Sequence, residues 1–209
     1  MNTTVILGPR YAQAVEYAAR MHADQVRKGT SIPYICHPLA VSASILEAGG
    51  DEELAIAGLL HDVAEDCGGE PRLLEIEDMF GSRVAGIVRA CSDSLVADPR
   101  HKAPWRERKE KHLGELRSAD SDVVLVTVAD KLSNARSLAT DLALHGISAM
   151  GRFNAPPPDI AWYYLAVLEI LRDRQAPPEL LQPLDATVTA LVREIRADAT
   201  ATRSPEQQA

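Results

Sequence analysis

Residues 59–66 place one histidine and three carboxylates inside an apolar helical pattern. His61 and Asp62 are adjacent, and Glu65 and Asp66 follow about one helical turn later, within reach of them. Three carboxylates this close repel one another, and near an apolar core they need a compensating positive charge. A divalent ion supplies that charge, and a histidine–carboxylate set suits a transition metal such as Mn, Fe or Zn. The alternative is a solvated acidic helix end that contains a histidine.

Two further segments carry residues that suit the same ion. His37 precedes Pro38 at the predicted start of a helix, which is a rigid position for a ligand. Asp130 ends a strongly apolar run, which predicts a buried carboxylate. Each residue also has a simpler interpretation. His37 can be an ordinary residue at a helix N-terminus, and Asp130 can form an ion pair with Lys131 or Arg136.

Helical periodicity runs through most of the chain, and the predicted helices are the elements that must position these residues. Apolar residues recur every three or four positions, and glycines or prolines separate the helices. The run 123–128 is ambiguous, because its β-branched residues fit either a buried strand or the start of a buried helix. We predict an all-α, single-domain bundle of about nine helices over residues 1–196, followed by a flexible tail over 197–209.

The composition is that of an ordinary globular chain with an acid excess. Its 209 residues are 46% apolar and 25% charged, and the net charge is −8. We expect no nucleic-acid polymer as a partner, because such binding needs clustered lysine and arginine. The three cysteines form no CxxC pair, and the sequence shows no signal peptide or membrane span. We therefore expect a cytoplasmic protein with no membrane partner, and we make no prediction of its oligomeric state.

Four motifs surround these histidines and aspartates in a fixed order. They are Arg27-Lys28 with Pro33-Tyr34-Ile35-x-His37-Pro38, Leu59-Leu60-His61-Asp62-x-x-Glu65-Asp66, Phe80-Gly81, and Ala129-Asp130-Lys131-Leu132-x-Asn134-x-Arg136. Over residues 11–170 this pattern resembles the HD-domain metal phosphohydrolases, and within them the hydrolase domain of the RelA/SpoT-type alarmone enzymes. Because no synthetase region is present, the chain is most similar to the stand-alone small alarmone hydrolases. The resemblance implies an HD-type helical bundle.

The resemblance also implies a reaction. In that family the substrate is guanosine tetra- or pentaphosphate, and pyrophosphate is removed from the 3′ position with Mn²⁺. The family's metal ligands fall on His37, His61, Asp62 and Asp130. Its acidic pair falls on Glu65 and Asp66, which would orient the attacking water and accept its proton.

The nucleotide-binding residues implied by the resemblance begin with a basic pair. This pair, which stacks on the base and reaches the nucleotide, falls on Arg27 and Lys28, and its simpler interpretation is a solvated basic loop. Asn134 matches an asparagine that contacts the nucleoside, and Arg136 lies one helical step further on. The loop 29–32 differs from that of the long bifunctional enzymes, so guanine, adenine or a broader choice of base stays open.

Aromatic and basic residues further along the chain complete the expected site. Tyr163 is expected to flank the nucleoside, with Tyr164 as the alternative and core packing as the simpler interpretation of both. The run 105–109 would bring cations toward the distal phosphates. Two other functions stay open. One is an HD phosphohydrolase acting on an adenine alarmone, NADPH or a nucleoside monophosphate. The other is a nucleotide-binding protein without catalysis, which the complete set of ligands and acidic residues disfavours.

Overall fold

Helices dominate the computed structural model, which describes residues 5–96 and 98–201. In chain order they are α1 (Pro9–Met21), α2 (Cys36–Glu47), α3 (Glu52–Leu60), α4 (Val63–Asp66), α5 (Glu70–Cys91), α6 (Trp105–Leu116), α7 (Ser121–His145), α8 (Pro157–Asp173) and α9 (Pro178–Ala201). Short 3₁₀ helices at Pro99–His101 and Gly146–Arg152 lie in the connections. No β-strand occurs within the described ranges, where an isolated antiparallel bridge joins Val26 and Pro33. The all-α prediction is confirmed.

Helix α7 runs through the middle of the molecule and packs against α2, α5, α8 and α9. Residues 123–128, which fit either a strand or a helix by pattern, lie in its first half and are buried. Asp120 begins the helix, because its side chain accepts a hydrogen bond of 3.0 Å from the main-chain N–H of Val123. Burial by surrounding helices outweighs the weak helix preference of valine, since a helix satisfies its own main-chain groups. Asp130 follows this buried half, so the core holds its carboxylate.

Helices α2 and α3 approach each other closely at Gly58. A Cβ atom at this position would lie 2.5 Å from Cδ1 of Ile45 and 3.4 Å from Cα of Ser42. A side chain at this position would therefore have to displace the buried end of Ile45, and glycine avoids that cost. The close contact brings His37, near the start of α2, toward His61, which directly follows α3.

Helix ends follow recognisable local chemistry. Asp51 caps α3 by accepting a hydrogen bond of 2.9 Å from the N–H of Leu54. Gly81 has a φ of 84° and kinks α5.

Helix α9 continues through residues 197–201 of the predicted tail, and the remainder, 202–209, lies outside the described residues. The domain boundary at residue 196 stays a prediction. Among the described helices, none combines the length and apolar composition needed to cross a lipid bilayer.

Candidate functional site

Four side chains converge where α2, the junction between α3 and α4, and α7 meet. The Nε2 atoms of His37 and His61 lie 3.2 Å apart. A carboxylate oxygen of Asp62 lies 3.4 Å from Nε2 of His37 and 3.0 Å from Nε2 of His61. An oxygen of Asp130 lies 3.2 Å and 3.7 Å from the same two nitrogen atoms. His37, His61 and Asp62 thus form a group of potential ligand atoms compact enough for one metal ion, and Asp130 lies beside both histidines.

The separations of these atoms fit ligands around a single cation. With metal–ligand bonds of roughly 2.1 Å, neighbouring ligands lie about 3.0 Å apart in an octahedron and about 3.4 Å apart in a tetrahedron. The distances from the two histidine nitrogens to each other and to the carboxylate oxygens run from 3.0 Å to 3.7 Å. A set of two imidazoles and two carboxylates is also one that divalent transition metals prefer. The cluster could therefore hold one divalent metal ion.

Hydrogen bonds on the far side of each ring orient both histidines toward this point. Nδ1 of His37 lies 2.9 Å from Oγ of Ser133, and Nδ1 of His61 lies 2.8 Å from the main-chain oxygen of Gly58. A histidine that donates through Nδ1 presents the lone pair of Nε2 to a metal. Both rings are buried, at 3% and 2% exposed, so the core imposes their directions.

Polar neighbours hold the two aspartates in place. The hydroxyl of Tyr34 donates to Oδ2 of Asp62 at 2.6 Å. The amide of Asn134 donates to Oδ1 of Asp130 at 2.5 Å, and Nζ of Lys131 lies 2.7 Å from Oδ2 of the same carboxylate. The ion pair between Lys131 and Asp130 therefore exists, but it uses the oxygen that does not face the histidines. Such contacts fix ligand directions in metal sites.

The electrostatics of the cluster favour a positive charge at its centre. Burial alone would lower the pKa of His61, but the charges of Asp62 and Asp130 raise it well above the usual value. Burial alone would raise the pKa of Asp62, but His61 and His37 hold it well below its usual range. Burial likewise opposes ionisation of Asp130, and Lys131 beside it keeps its pKa low. Either a protonated imidazole or a bound metal ion would supply the positive charge that the two carboxylates favour.

Glu65 lies on α4 beside the cluster, in buried and mixed-charge surroundings. Its Oε2 accepts the main-chain N–H of Asp93 at 3.0 Å, and its Oε1 lies 3.3 Å from Nζ of Lys102. Burial, followed by a hydrogen bond with the carboxyl group of Asp93 and the negative charge of that group, raises the pKa of Glu65 to about 7. A carboxylate with such a pKa suits a general base near neutral pH. Asp66 is exposed, and its carboxylate accepts a hydrogen bond of 2.8 Å from the amide of Gln25.

A cavity of about 320 Å³ opens beside the cluster, and its wall is rich in cations. These cations are Arg27, Lys28, Lys109, Lys131 and Arg152. No carboxylate belongs to the lining among the described residues, although the net charge of the chain is −8. Tyr34, Lys131 and Asn134 line the cavity and also contact the aspartates of the cluster. These three residues therefore join the cavity to the cluster, and the volume of the cavity is typical of small-molecule binding.

The structure brings four of the five predicted substrate-binding residues to this cavity: Arg27, Lys28, Asn134 and Tyr163. The guanidinium of Arg27 donates to Oδ1 of Asn134 at 2.9 Å and lies 5.7 Å from the ring centre of Tyr34. The fifth, Arg136, is exposed and is not part of the lining. On a helix, two positions correspond to a rotation of about 200°. Arg136 therefore points away from the face of α7 that carries Asn134.

Tyr163 is buried in the cavity wall, and Tyr164 lines the same wall. The ring of Tyr163 lies 6.1 Å from that of Trp105, and the ammonium groups of Lys109 and Lys131 lie 5.0 Å and 5.5 Å from its centre. Its hydroxyl has no hydrogen-bond partner among the described residues. Tyr163 thus packs in the core and also offers a polar atom that a ligand could satisfy.

The sequence patterns did not indicate several residues that complete the site. Ser133 follows Asp130 by three positions, and that helical spacing was a usable signal for a shared face. Asp93, Lys102 and Arg152 lie in connections or short turns. No periodicity there predicts the direction of a side chain, so tertiary contacts alone bring these residues to the site.

Comparison with known proteins places this chain in a family. The model of the HD domain matches residues 14–148. MESH1 of Drosophila melanogaster, named guanosine-3′,5′-bis(diphosphate) 3′-pyrophosphohydrolase, is 32% identical over 132 residues, which cover 62% of this chain and 69% of that protein. Human MESH1, with the same name, is 33% identical over 129 residues, covering 60% and 68%. A protein of Aquifex aeolicus named for this activity is 36% identical over 134 residues, which are 62% of this chain but only 18% of that protein.

Solved structures give the same relationship. A metazoan orthologue of SpoT, described as hydrolysing ppGpp, has a TM-score of 0.71 at 27% identity, over 90% of this chain and 98% of its own. A protein from Listeria monocytogenes EGD-e has a TM-score of 0.63 at 28% identity, over 78% and 99%. The chain therefore belongs to the HD-domain hydrolases, in the group that contains the MESH1 proteins.

Proposed function

We propose that this protein hydrolyses guanosine 3′,5′-bis(diphosphate) (ppGpp) and its pentaphosphate form, releasing pyrophosphate from the 3′ position, with Mn²⁺ as its metal. The observation that carries the proposal is the junction of the ligand cluster with a cation-lined cavity through Lys131 and Asn134. The names of the MESH1 relatives support the choice of substrate. A cytoplasmic location belongs to the same proposal, because the free cysteines suit a reducing compartment.

The cavity offers the local positive charge that a polyphosphate requires. The acid excess of the whole chain repels such a ligand, so binding depends on cations placed at short range. Arg27 and Lys28 donate to the amide oxygens of Asn134 and Asn154, at 2.9 Å and 2.8 Å, rather than to carboxylates. Their charges are therefore available to a nucleotide, and the planar guanidinium of Arg27 suits stacking on a base.

Each part of the site has a role in the proposed reaction. The proposed ligands of the metal are His37, His61, Asp62 and Asp130. A divalent cation held there would supply the Lewis acid that activates water and polarises a phosphoryl oxygen. Glu65 accepts the proton of the attacking water, and its raised pKa keeps it basic enough for this transfer. Asp66 helps to orient that water. Lys109 and Lys131 balance the charge of the departing pyrophosphate. Arg136 has no part in the proposal, because its side chain is exposed outside the cavity.

Product identification tests the proposal. Full-length protein is incubated with Mn²⁺ and ppGpp, and the products are separated by anion-exchange chromatography, with GDP and pyrophosphate expected. Glu65→Gln is the matched control, since it keeps the size of the side chain and removes the base. Its turnover should fall roughly 10²-fold or more while the metal stays bound. Near-parental turnover of this variant would exclude Glu65 as the general base.

The same assay separates the alternatives. A panel containing an adenine alarmone, NADPH and nucleoside monophosphates shows whether another nucleotide is turned over faster than ppGpp. Release of orthophosphate without pyrophosphate would contradict the proposed reaction. Tight binding of ppGpp with no turnover at saturating Mn²⁺ would instead identify a nucleotide-binding protein. The loop 29–32 lies against the cavity, because Gly29 packs on the side chain of Arg152, which lines it. Substitutions in this loop are therefore expected to alter the preference for one base over another.

A further inference from the structure

Asp93 lies just after α5, and its buried carboxylate is matched by two cations from α6. The side chain is 5% exposed and forms ion pairs with Arg108 and Lys109, the latter at 2.5 Å. Burial alone would raise the pKa of Asp93, but Lys109 and Arg108 hold it well below its usual range. A buried, ionised carboxylate of this kind is costly unless its contacts are specific.

The same residue contacts Glu65 through its main chain, and its carboxyl group also interacts with that of Glu65. The N–H of Asp93 donates to Oε2 of Glu65 at 3.0 Å. Nη1 of Arg108 lies 3.9 Å from Oε1 of Glu65, so this guanidinium stands between two carboxylates and pairs closely with only one of them. Lys109, the second partner of Asp93, also forms part of the cavity wall. Asp93 therefore links Glu65, α6 and the cavity.

Removal of the Asp93 charge would leave two poorly exposed cations without their partner. Arg108 and Lys109 are 17% and 19% exposed, so water satisfies them only in part. Arg108 already lies 3.9 Å from the carboxylate of Glu65. An ion pair between Arg108 and Glu65 would occupy the oxygen atoms that must receive a proton and would make Glu65 a weaker base.

We propose that Asp93 is a positioning residue of the hydrolytic site. Its main-chain N–H holds the carboxylate of Glu65, and its side chain keeps Arg108 of α6 from pairing with that carboxylate. This inference rests on the proposed role of Glu65 as the general base.

A double-mutant cycle in the full-length protein tests the inference. Asp93→Asn keeps the shape and the main-chain N–H but removes the charge. We expect kcat for ppGpp to fall about 10-fold or more, with KM changed less than about 3-fold. In a Glu65→Gln background the same change should alter kcat less than about 2-fold, because the group through which Asp93 acts is already lost. An equal loss in both backgrounds, or no loss in either, would overturn the proposal.

Two further variants distinguish positioning from general destabilisation. Arg108→Gln, added to Asp93→Asn, removes the competing guanidinium and should restore kcat at least about 3-fold over Asp93→Asn alone. Absence of rescue would count against the proposal. Asp98→Asn is the matched control, since Asp98 lies in the same connection and pairs with the exposed Arg100. This control should keep the parental kcat.

A readout without nucleotide or metal covers the case in which Asp93→Asn does not fold or ppGpp is not the substrate. In ¹⁵N-labelled parental protein, the amide resonance of residue 93 should shift with pH as Glu65 titrates, because the amide donates to that carboxylate. The shift should be absent in Glu65→Gln. A pH-independent amide in the parent would overturn the positioning role whatever the substrate. Lack of ppGpp turnover by the parent, with the amide titration intact, would reject the proposed function alone.

Discussion

Tyr34→Phe isolates one hydrogen bond of the proposed metal site. The hydroxyl donates to Asp62 at 2.6 Å, while the ring packs 4.9 Å from His22 and 5.8 Å from His37, measured between ring centres. The substitution removes the hydroxyl and leaves the ring in place. We expect the variant to fold and to bind Mn²⁺ more weakly, because the carboxylate of Asp62 loses the group that fixes its direction.

The magnitude follows from the charge and exposure of the acceptor. A hydrogen bond to a charged group contributes about 1.5 to 3 kcal/mol, which corresponds to a change in affinity of about 10- to 150-fold. The side chain of Asp62 is 26% exposed, so water can replace part of the lost bond. We therefore expect a loss near the lower end, about tenfold. Burial and the charge of Asp62 hold the pKa of Tyr34 far above its usual value, so the ratio of the two affinities should not change with pH around neutrality.

Calorimetric titration of metal-free protein with Mn²⁺ measures this affinity. Tyr11→Phe is the matched control, because it deletes a hydroxyl that pairs with Oγ of Ser42 at 2.9 Å, away from the proposed ligands. This control should keep the parental affinity. Excess Mn²⁺ should restore most of the turnover of Tyr34→Phe. If Tyr34→Phe binds the metal within about threefold of the control, the reasoning that Asp62 is a ligand oriented by Tyr34 is refuted.

Four other substitutions or titrations check separate parts of the site. Arg27→Ala should raise KM about tenfold with little change in kcat, and steady-state kinetics showing an effect on kcat alone would contradict a binding role. Gly58→Ala should lower the free energy of unfolding by about 1 to 3 kcal/mol in urea titrations, because its Cβ would meet Ile45; unchanged stability would contradict the close helix contact. The plot of kcat/KM against pH should rise through an acid limb at or below about 7, since Glu65 must lose its proton to act, and persistence of the limb in Glu65→Gln would assign it to another group. Asp141→Asn should raise KM about threefold or more, because Arg152 in the cavity wall loses the carboxylate that holds it in place. A lower KM would show that the net charge of the protein affects binding more than the position of Arg152 does.

Periodicity and residue type are enough to predict the helices and the candidate ligands, but not the direction of every side chain. Apolar spacing predicted the helices, and residue type singled out the histidines and aspartates that the fold brings together. The run 123–128 stayed ambiguous because only the surrounding helices decide between strand and helix for buried valines. Arg136 shows a second limit of prediction from sequence. Its place in a motif does not tell which way its side chain points until the orientation of the helix is known. Asp93 lies in an irregular connection and Arg152 ends a short 3₁₀ helix, and at both positions the direction of the side chain depends on contacts distant in sequence.

The arrangement of charge explains how an acidic chain can offer a basic cavity. Three cations of the cavity wall form ion pairs with carboxylates that do not line the cavity. These pairs are Lys131 with Asp130 at 2.7 Å, Lys109 with Asp93 at 2.5 Å, and Arg152 with Asp141. These carboxylates reduce the long-range field of the cavity, yet they fix where each cation points. Contacts at a few ångströms depend on position more than on net charge, because solvent and salt screen the distant charges. Carboxylates are therefore part of how the cavity is built, and loss of the Asp141 carboxylate, which supports Arg152, should weaken nucleotide binding although it makes the protein less negative.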